Sequence, residues 1–159
     1  MIEKLKTIVV ENQFTISTAE SCTVGELVRL LTAVSGSSQY YIGGVVAYDY
    51  RQKIRLLGVK EGTIQAKTVV SKEVALEMVE GCQKLFETDI AIATTGVAGP
   101  CTDEFNNDIG LIYYAIKIKN KVYHYQMYFP QLEREEFVKT VSQKIIERLI
   151  KLLENEVFI

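Results

Sequence analysis

The sequence is short of the groups on which many enzyme mechanisms depend. Its 159 residues include a single histidine, His124, so a site needing two imidazoles is excluded and any His-based triad would have to use that one residue. The three cysteines, Cys22, Cys82 and Cys101, form an odd set without CxxC spacing. Neither a disulfide framework nor a zinc site follows from them, and no metal is expected. No apolar run approaches the roughly 18–20 residues needed to cross a bilayer. The start, Met1-Ile2-Glu3-Lys4-Leu5-Lys6, is interrupted by charge at once and has no signal-peptide core. A net charge of −2 gives no basic face for nucleic acid and disfavours diffuse binding to anionic membranes. A reducing, cytoplasmic setting is the expectation.

What is present is ordinary for a globular chain: 48% hydrophobic and 24% charged residues. No segment reads as a linker, repeat or low-complexity tract, so one domain over residues 1–159 is expected. At this size roughly 70% of the unfolded chain's surface can be buried. Ile2, Leu5, Ile8 and Val9 have helical spacing. Phe14 to Thr18 reads as a strand, followed by a helix from about Thr23 to Ala33 that Ser35-Gly36-Ser37-Ser38 breaks. Gly43 to Tyr48 is a buried strand, and Arg51 to Leu57 a short helix ended by Gly58. Ser71 is placed to cap a helix whose apolar rhythm runs Val74, Ala75, Met78, Val79, Cys82, Leu85 and Phe86. Asp89 to Thr94 is a short central strand; Gly110 to Ile118 and Val122 to Phe129 form a hairpin; a helix from roughly Glu133 to Asn155 closes the chain. Strands alternating with helices, plus one late hairpin, predict an α/β fold, a three-layer α/β/α sandwich on a mixed, mostly parallel sheet.

Four loops rich in small polar residues follow or precede these elements: residues 18–23, 35–38, 47–50 with Lys53 nearby, and 94–100. In open α/β sheets ligands bind beyond the carboxyl ends of strands, where such loops converge. Ser21-Cys22-Thr23 opens a helix and can hold a phosphate, or Ser21 or Thr23 can be no more than an N-cap. Cys22 has no basic neighbour in its segment and reads as a buried structural thiol. Gly96 and Gly99 let backbone approach a ligand closely, or form a plain tight turn. Lys53, if desolvated, can act as a base toward a serine hydroxyl, although most lysines are solvated surface groups. His124 lies in an alternating Tyr-rich strand and reads as a strand-face residue. Glu133 to Glu136 is the acidic, solvated start of the last helix.

Taken in order, TAESCT (Thr18–Thr23), SGSSQYYIGGVVAY (Ser35–Tyr48), KIRLLGV (Lys53–Val59), VVSKEVALEMVEG (Val69–Gly81) and TGVAGP (Thr95–Pro100) resemble the CinA C-terminal domain family, which includes bacterial nicotinamide-nucleotide amidases. Order and spacing agree from about residue 2 to residue 153. The resemblance implies a three-layer fold, a homodimer, and hydrolysis of nicotinamide mononucleotide to nicotinate mononucleotide and ammonia, with water and no cofactor or metal. Ser21 matches the serine of ESCTGG, Ser38 the second serine of GSS, Tyr48 and Lys53 the Tyr and Lys of YSNxxK, and Thr95 the Thr of TGIAGP. Arg134 is the nearest match to an arginine after FPG. On this basis Ser38 is expected to attack the carboxamide, neutral Lys53 to take its proton and Tyr48 to relay or orient it, with backbone amides near Gly96 and the Thr95 hydroxyl stabilising the oxyanion and Ser21 able to exchange roles with Ser38. Thr23, Thr95, Gly96, Gly99 and Arg134 are expected to hold the nucleotide substrate.

The sequence also departs from the family pattern. SCTGG reads SCTVG, with Val24 expected to narrow the space for a phosphate. The usual glycine-rich stretch after Gly99-Pro100 is replaced by residues 101–109, which contain Asp103, Glu104 and Asp108. YSN reads Tyr48-Asp49-Tyr50, and FPG reads FPQ. These departures leave open a re-specialised or catalytically degenerate nucleotide-binding protein, and more remotely an interaction module. The molybdopterin-binding-like N-terminal domain of full-length relatives is not part of this sequence.

Overall fold

The computed structural model describes residues 1–156. Elements follow in the order α1 (Ile2–Glu11), β1 (Ile16–Glu20), α2 (Glu26–Leu31), a 3-10 turn (Ser37–Gln39), β2 (Tyr41–Val46), α3 (Tyr50–Leu57) and α4 (Glu61–Lys67). Then come α5 (Lys72–Phe86), β3 (Ile90–Gly96), β4 (Leu111–Ile118), β5 (Lys121–Tyr128) and α6 (Arg134–Asn155). The five strands make one sheet in the order β2-β1-β3-β4-β5. β1 pairs parallel with both β2 and β3, whereas β3–β4 and β4–β5 are antiparallel. The sheet is therefore mixed, as expected, with the parallel pairings confined to its first three strands.

Strand alternation divides the interior into two cores. Ile16, Ile90, Ile92, Ile112 and Ile116 face α1, α2 and α6, joining Leu5, Leu27, Leu31, Phe137 and Ile145. On the other face Ala19, Ala91, Ala93 and Ala115 meet Val74, Ala75, Met78 and Val79 of α5. Side chains this small bring α5 close to the strands, and the branched residues fill the opposite layer. The sheet thus lies between two helical layers, and the carboxyl ends of β1, β2 and β3 point the same way.

Two local differences from the sequence reading have clear causes. The helix expected from Thr23 begins only at Glu26, because Val24 and Gly25 both take positive φ, 46° and 95°. Neither Ser21 nor Thr23 caps it. Glu20, fully buried at the end of β1, accepts from the Leu27 and Val28 amides at 2.9 and 3.2 Å. A carboxylate there satisfies orphan donors and meets the positive end of the short helix. The element α4 was not anticipated. It has one buried residue, Ile64, and is tethered by Glu77 of α5, which accepts from the Lys60 amide and the Thr63 hydroxyl. Ser71, by contrast, caps α5 as expected, accepting from the Val74 amide at 3.2 Å.

Candidate active site

Just past β1 the chain turns at Ser21, and three residues, Ala47 to Asp49, separate the end of β2 from the start of α3. Asp49 caps α3 by accepting from the Arg51 amide, which sets the helix so that Lys53, in its first turn, points back under the sheet end. The Lys53 side chain is 2% exposed. Its Nζ lies 2.9 Å from Ser21 Oγ, 2.8 Å from the Ala47 carbonyl and 3.0 Å from the Tyr48 carbonyl. Burial disfavours the ammonium and lowers the Lys53 pKa to about 8, against an opposing pull from negative groups that include Asp49 and Asp103.

Those three partners are chemically unequal. A neutral amine has two N–H donors and one lone pair. The two carbonyls can only accept, so they take the two N–H groups. Ser21 is the one partner with a proton to give, and the lone pair is left facing it. The Ser21 backbone is held in turn: its amide donates to Thr94 Oγ1 at 3.1 Å, and Thr94 Oγ1 lies 3.0 Å from Thr23 Oγ1. Thr94 was not singled out in the sequence. Its signal, a hydroxyl at the end of a central strand, is too common to stand out.

Ser21 and Lys53 open on a cavity of about 260 Å³ whose walls include Tyr48, Gly96, Gly99 and Arg134. Thr95 also lines it, but its hydroxyl donates to the Val69 carbonyl at 2.8 Å and so has no proton for an oxyanion. The expected oxyanion role of that hydroxyl is not met. Arg134 donates from Nη1 to the Gly99 carbonyl at 2.7 Å and from Nη2 to the Tyr48 hydroxyl at 3.1 Å, tying the start of α6 to the loop after β3. Tyr48 reaches Lys53 through its backbone carbonyl, while its side chain is 57% exposed and turned to Arg134.

Two expected contributors lie elsewhere. Ser38 sits on the exposed 3-10 turn before β2 and is not among the residues lining the cavity. The whole of β2 separates it from Tyr48 and Lys53. Five residue steps of extended chain span roughly 16 Å, so the pairing of Lys53 with Ser38 is corrected to a pairing with Ser21. Thr23 is fully buried and braces Thr94 rather than facing a ligand. Val24, expected to narrow the site, is 45% exposed and does not line the cavity. Burial pushes the Cys22 thiol up to about 12, so that it stays protonated beside Ser21, in keeping with a structural thiol.

Residues 101–109 supply wall residues that sequence reading had not assigned to the site, among them Asp103, Glu104 and Phe105. Among the described residues no group of three or more His, Cys, Asp or Glu side chains is placed to hold a metal ion. None of their helices is long and apolar enough to cross a membrane.

Comparison with known proteins gives a consistent picture. The sequence profile of the CinA C-terminal domain matches residues 1–153. A CinA-like protein of Flavobacterium psychrophilum is 40% identical over 146 residues, covering 91% of this chain and 35% of that protein. Protein MG115 of Mycoplasma genitalium is 39% identical over 141 residues, covering 89% of each. The chain thus spans about a third of the length of the CinA-like relatives and nearly all of the Mycoplasma one. Among solved structures, the competence damage-inducible protein A of Klebsiella pneumoniae superposes with a TM-score of 0.93 at 27% identity, covering 98% of this chain and 96% of that one. The competence/damage inducible protein of Agrobacterium tumefaciens gives 0.86 at 33% identity, covering 95% and 94%.

Proposed function

The chain belongs to the CinA C-terminal domain family, and we propose that it hydrolyses a carboxamide, with Ser21 as nucleophile and Lys53 as its base. The observation that carries this reading is the buried amine that has, among the described residues, one proton-bearing hydrogen-bond partner, the Ser21 hydroxyl 2.9 Å away. Neutral Lys53 takes the hydroxyl proton as Ser21 Oγ attacks the amide carbon. Backbone amides of Ala98 and Gly99, residues of the cavity wall, are the donors we assign to the developing oxyanion; one such donor is typically worth ~10²–10³ in rate. The protonated lysine then gives its proton to the departing ammonia, leaving an ester on Ser21. Water, deprotonated by the same amine, releases the acid.

The family resemblance points to nicotinamide mononucleotide as substrate, giving nicotinate mononucleotide and ammonia. Gly96, Gly99 and Arg134 are the wall residues available to it, and Tyr48 acts by orienting Arg134 and the Lys53 carbonyl partner. No cofactor enters the scheme. The free state of Cys22, Cys82 and Cys101 is consistent with a reducing cytoplasm. We also read the protein as a homodimer. The edge strand β2, Tyr-Ile-Gly-Gly-Val-Val, carries no charge or proline to block pairing, and leaves Ile42 and Val46 about half exposed.

A second reading, a CinA-like nucleotide-binding protein without turnover, is favoured by one observation: the departing loop 101–109 places Asp103 and Glu104 on the cavity wall. Ammonia release from nicotinamide mononucleotide separates the two. The hydrolase reading expects release that Ser21→Ala and Lys53→Met each abolish, whereas binding without release supports the alternative.

A further inference from the structure

Lys53 needs both of its protonation states. It must be neutral to take the Ser21 proton, and must then keep that proton until ammonia departs. Burial works against the second state, because it disfavours the ammonium. The three partners of Nζ are two carbonyls and a hydroxyl, none of them charged. A charge that steadies the protonated amine therefore has to come from farther out on the cavity wall.

The ionisable groups around the cavity narrow the choice. In the turn after β1, the Cys22 thiol is pushed up to about 12 and stays protonated in the working range. The end of β2 and the start of α3 bring Tyr48, Asp49 and Tyr50, and Arg51 holds Asp49 at 2.8 Å through two nitrogens. The start of α6 brings Arg134, itself a cation. Past β3 come the exposed Cys101 thiol, Asp103 and Glu104. Glu104 is exposed and acts on Arg51. Asp103 is partly buried, and its carboxylate accepts from the Asn107 amide at 2.8 Å and from Asn107 Nδ2 at 2.7 Å. Both donors belong to one neutral residue, so they orient the carboxylate and leave its charge in place.

Two anchors fix Asp103 there. Asn107 Nδ2 also donates to Thr68 Oγ1 at 2.9 Å, and the carbonyl of the next residue, Val69, accepts from Thr95 of β3. Phe105 packs edge-on against Tyr50 with ring centroids 5.5 Å apart, tying the loop to the helix that carries Lys53. A cavity of about 260 Å³ is roughly 8 Å across, about one Debye length at physiological ionic strength, so charges on its wall still act on one another. Burial lowers the Lys53 pKa, and Cys22, Asp49 and Asp103 pull it back up. Of these three, Cys22 carries no charge below about 12, and Asp49 is already matched by Arg51.

We propose that Asp103 is a positioning residue for the reaction: clamped by Asn107 on the wall of the Lys53 cavity, its carboxylate steadies the proton on the amine between its removal from Ser21 and its transfer to the departing ammonia. This role rests on the amide-hydrolase reading of the Ser21–Lys53 pair, and it gives the departing loop 101–109 a part in that chemistry.

The direct test follows Lys53 itself, without substrate. Protein carrying carbon-13-labelled lysine is titrated from pH 6 to 11 by NMR, and the Lys53 Cε signal is identified by its loss in Lys53→Met. Wild type is expected to titrate near pH 8. Asp103→Asn removes the charge and keeps the shape, and its midpoint is expected to fall by about half a pH unit or more. Asp103→Glu alters the clamp and keeps the charge, and is expected to stay within about 0.2 unit of wild type. Should Asp103→Asn fail to fold, Asp103→Ser, which keeps an acceptor oxygen for Asn107, is read in the same way. Glu104→Gln is expected to shift the midpoint less than Asp103→Asn. The acid limb of kcat/KM for ammonia release from nicotinamide mononucleotide moves with the midpoint, so Asp103→Asn reaches its plateau at lower pH. An unmoved or raised midpoint in Asp103→Asn, or an equal fall in Asp103→Glu, overturns this role. A lowered midpoint without ammonia release from any form sinks the hydrolase reading and leaves the hold of Asp103 on the Lys53 proton standing. Ammonia release with an unmoved midpoint does the reverse.

Discussion

At the scale of single residues the account rests on Lys53, and burial gives that residue a signature beyond catalysis. In the unfolded chain its pKa is the ordinary 10.5, and in the folded protein about 8. Between these values the unfolded chain holds a proton that the folded one has shed, so stability rises with pH across that window. The rise is worth up to about 3 kcal/mol at ~1.4 kcal/mol per pKa unit. Urea unfolding of wild type and Lys53→Met at pH 7, 8.5 and 10 measures it. The difference between the two proteins is expected to shift in favour of wild type as pH climbs, and to be flat below pH 8. Thiol chemistry offers an independent check of the same environment. Cys22 and Cys82 are buried, with thiols raised to about 12 and about 11, whereas Cys101 is exposed. Alkylation of the native protein near neutral pH, followed by mass spectrometry, is expected to modify Cys101 alone. Lys53 and Ser21 were both legible as chemistry-bearing residues, yet their pairing was not. They stand 32 positions apart, and a hydroxyl 15 positions from Lys53, that of Ser38, looked equally good until the direction of β2 carried it to the far end of the sheet. The engagement of the Thr95 hydroxyl by the Val69 carbonyl was hidden for the same reason: nothing local brings those loops together.

At the scale of elements, backbone demands explain both what sequence revealed and what it concealed. The long amphipathic α5 was legible because its periodicity and its Ser71 cap agree. The seven-residue α4 was not, since one buried isoleucine gives no period and so short a helix depends on the Glu77 tether. Gly81 of α5 marks a close approach that composition does not reveal. A Cβ there would stand 1.9 Å from the Leu57 carbonyl oxygen at the end of α3. Backbone cannot yield as a side-chain tip can, so Gly81→Ala is expected to destabilise by at least ~2 kcal/mol in chemical denaturation. A loss below ~0.5 kcal/mol would contradict the packing of α3 on α5. Val24 is the opposite case, a branched residue at φ 46° where the family pattern has glycine. Left-handed backbone costs a non-glycine residue ~1–2 kcal/mol, and its half-exposed side chain contributes little in return. Val24→Gly is therefore expected to leave stability unchanged or raise it by up to about 1 kcal/mol, read from the same denaturation curves.

At the scale of the whole molecule, the three-layer architecture was readable from alternation alone, because each strand's side chains must face two different cores. What the order β2-β1-β3-β4-β5 adds is the placement of function: three parallel strands end together, and the loops after them meet at Ser21, Lys53 and Gly96. Self-association belongs to this scale as well. Sedimentation of wild type is expected to show a dimer that Val46→Lys, a charge on the β2 edge, shifts toward monomer. An unshifted dimer would place the interface elsewhere. The central claim, that the buried amine activates Ser21, meets its most direct test in ammonia release from nicotinamide mononucleotide by wild type, Ser21→Ala, Ser38→Ala and Lys53→Met across pH 6 to 10. The account predicts a wild-type rate that rises with pH to a plateau above about 8, losses of at least ~10³ in Ser21→Ala and Lys53→Met, and a Ser38→Ala rate within about ten-fold of wild type. Near-normal turnover in Ser21→Ala, together with loss in Ser38→Ala, would contradict it.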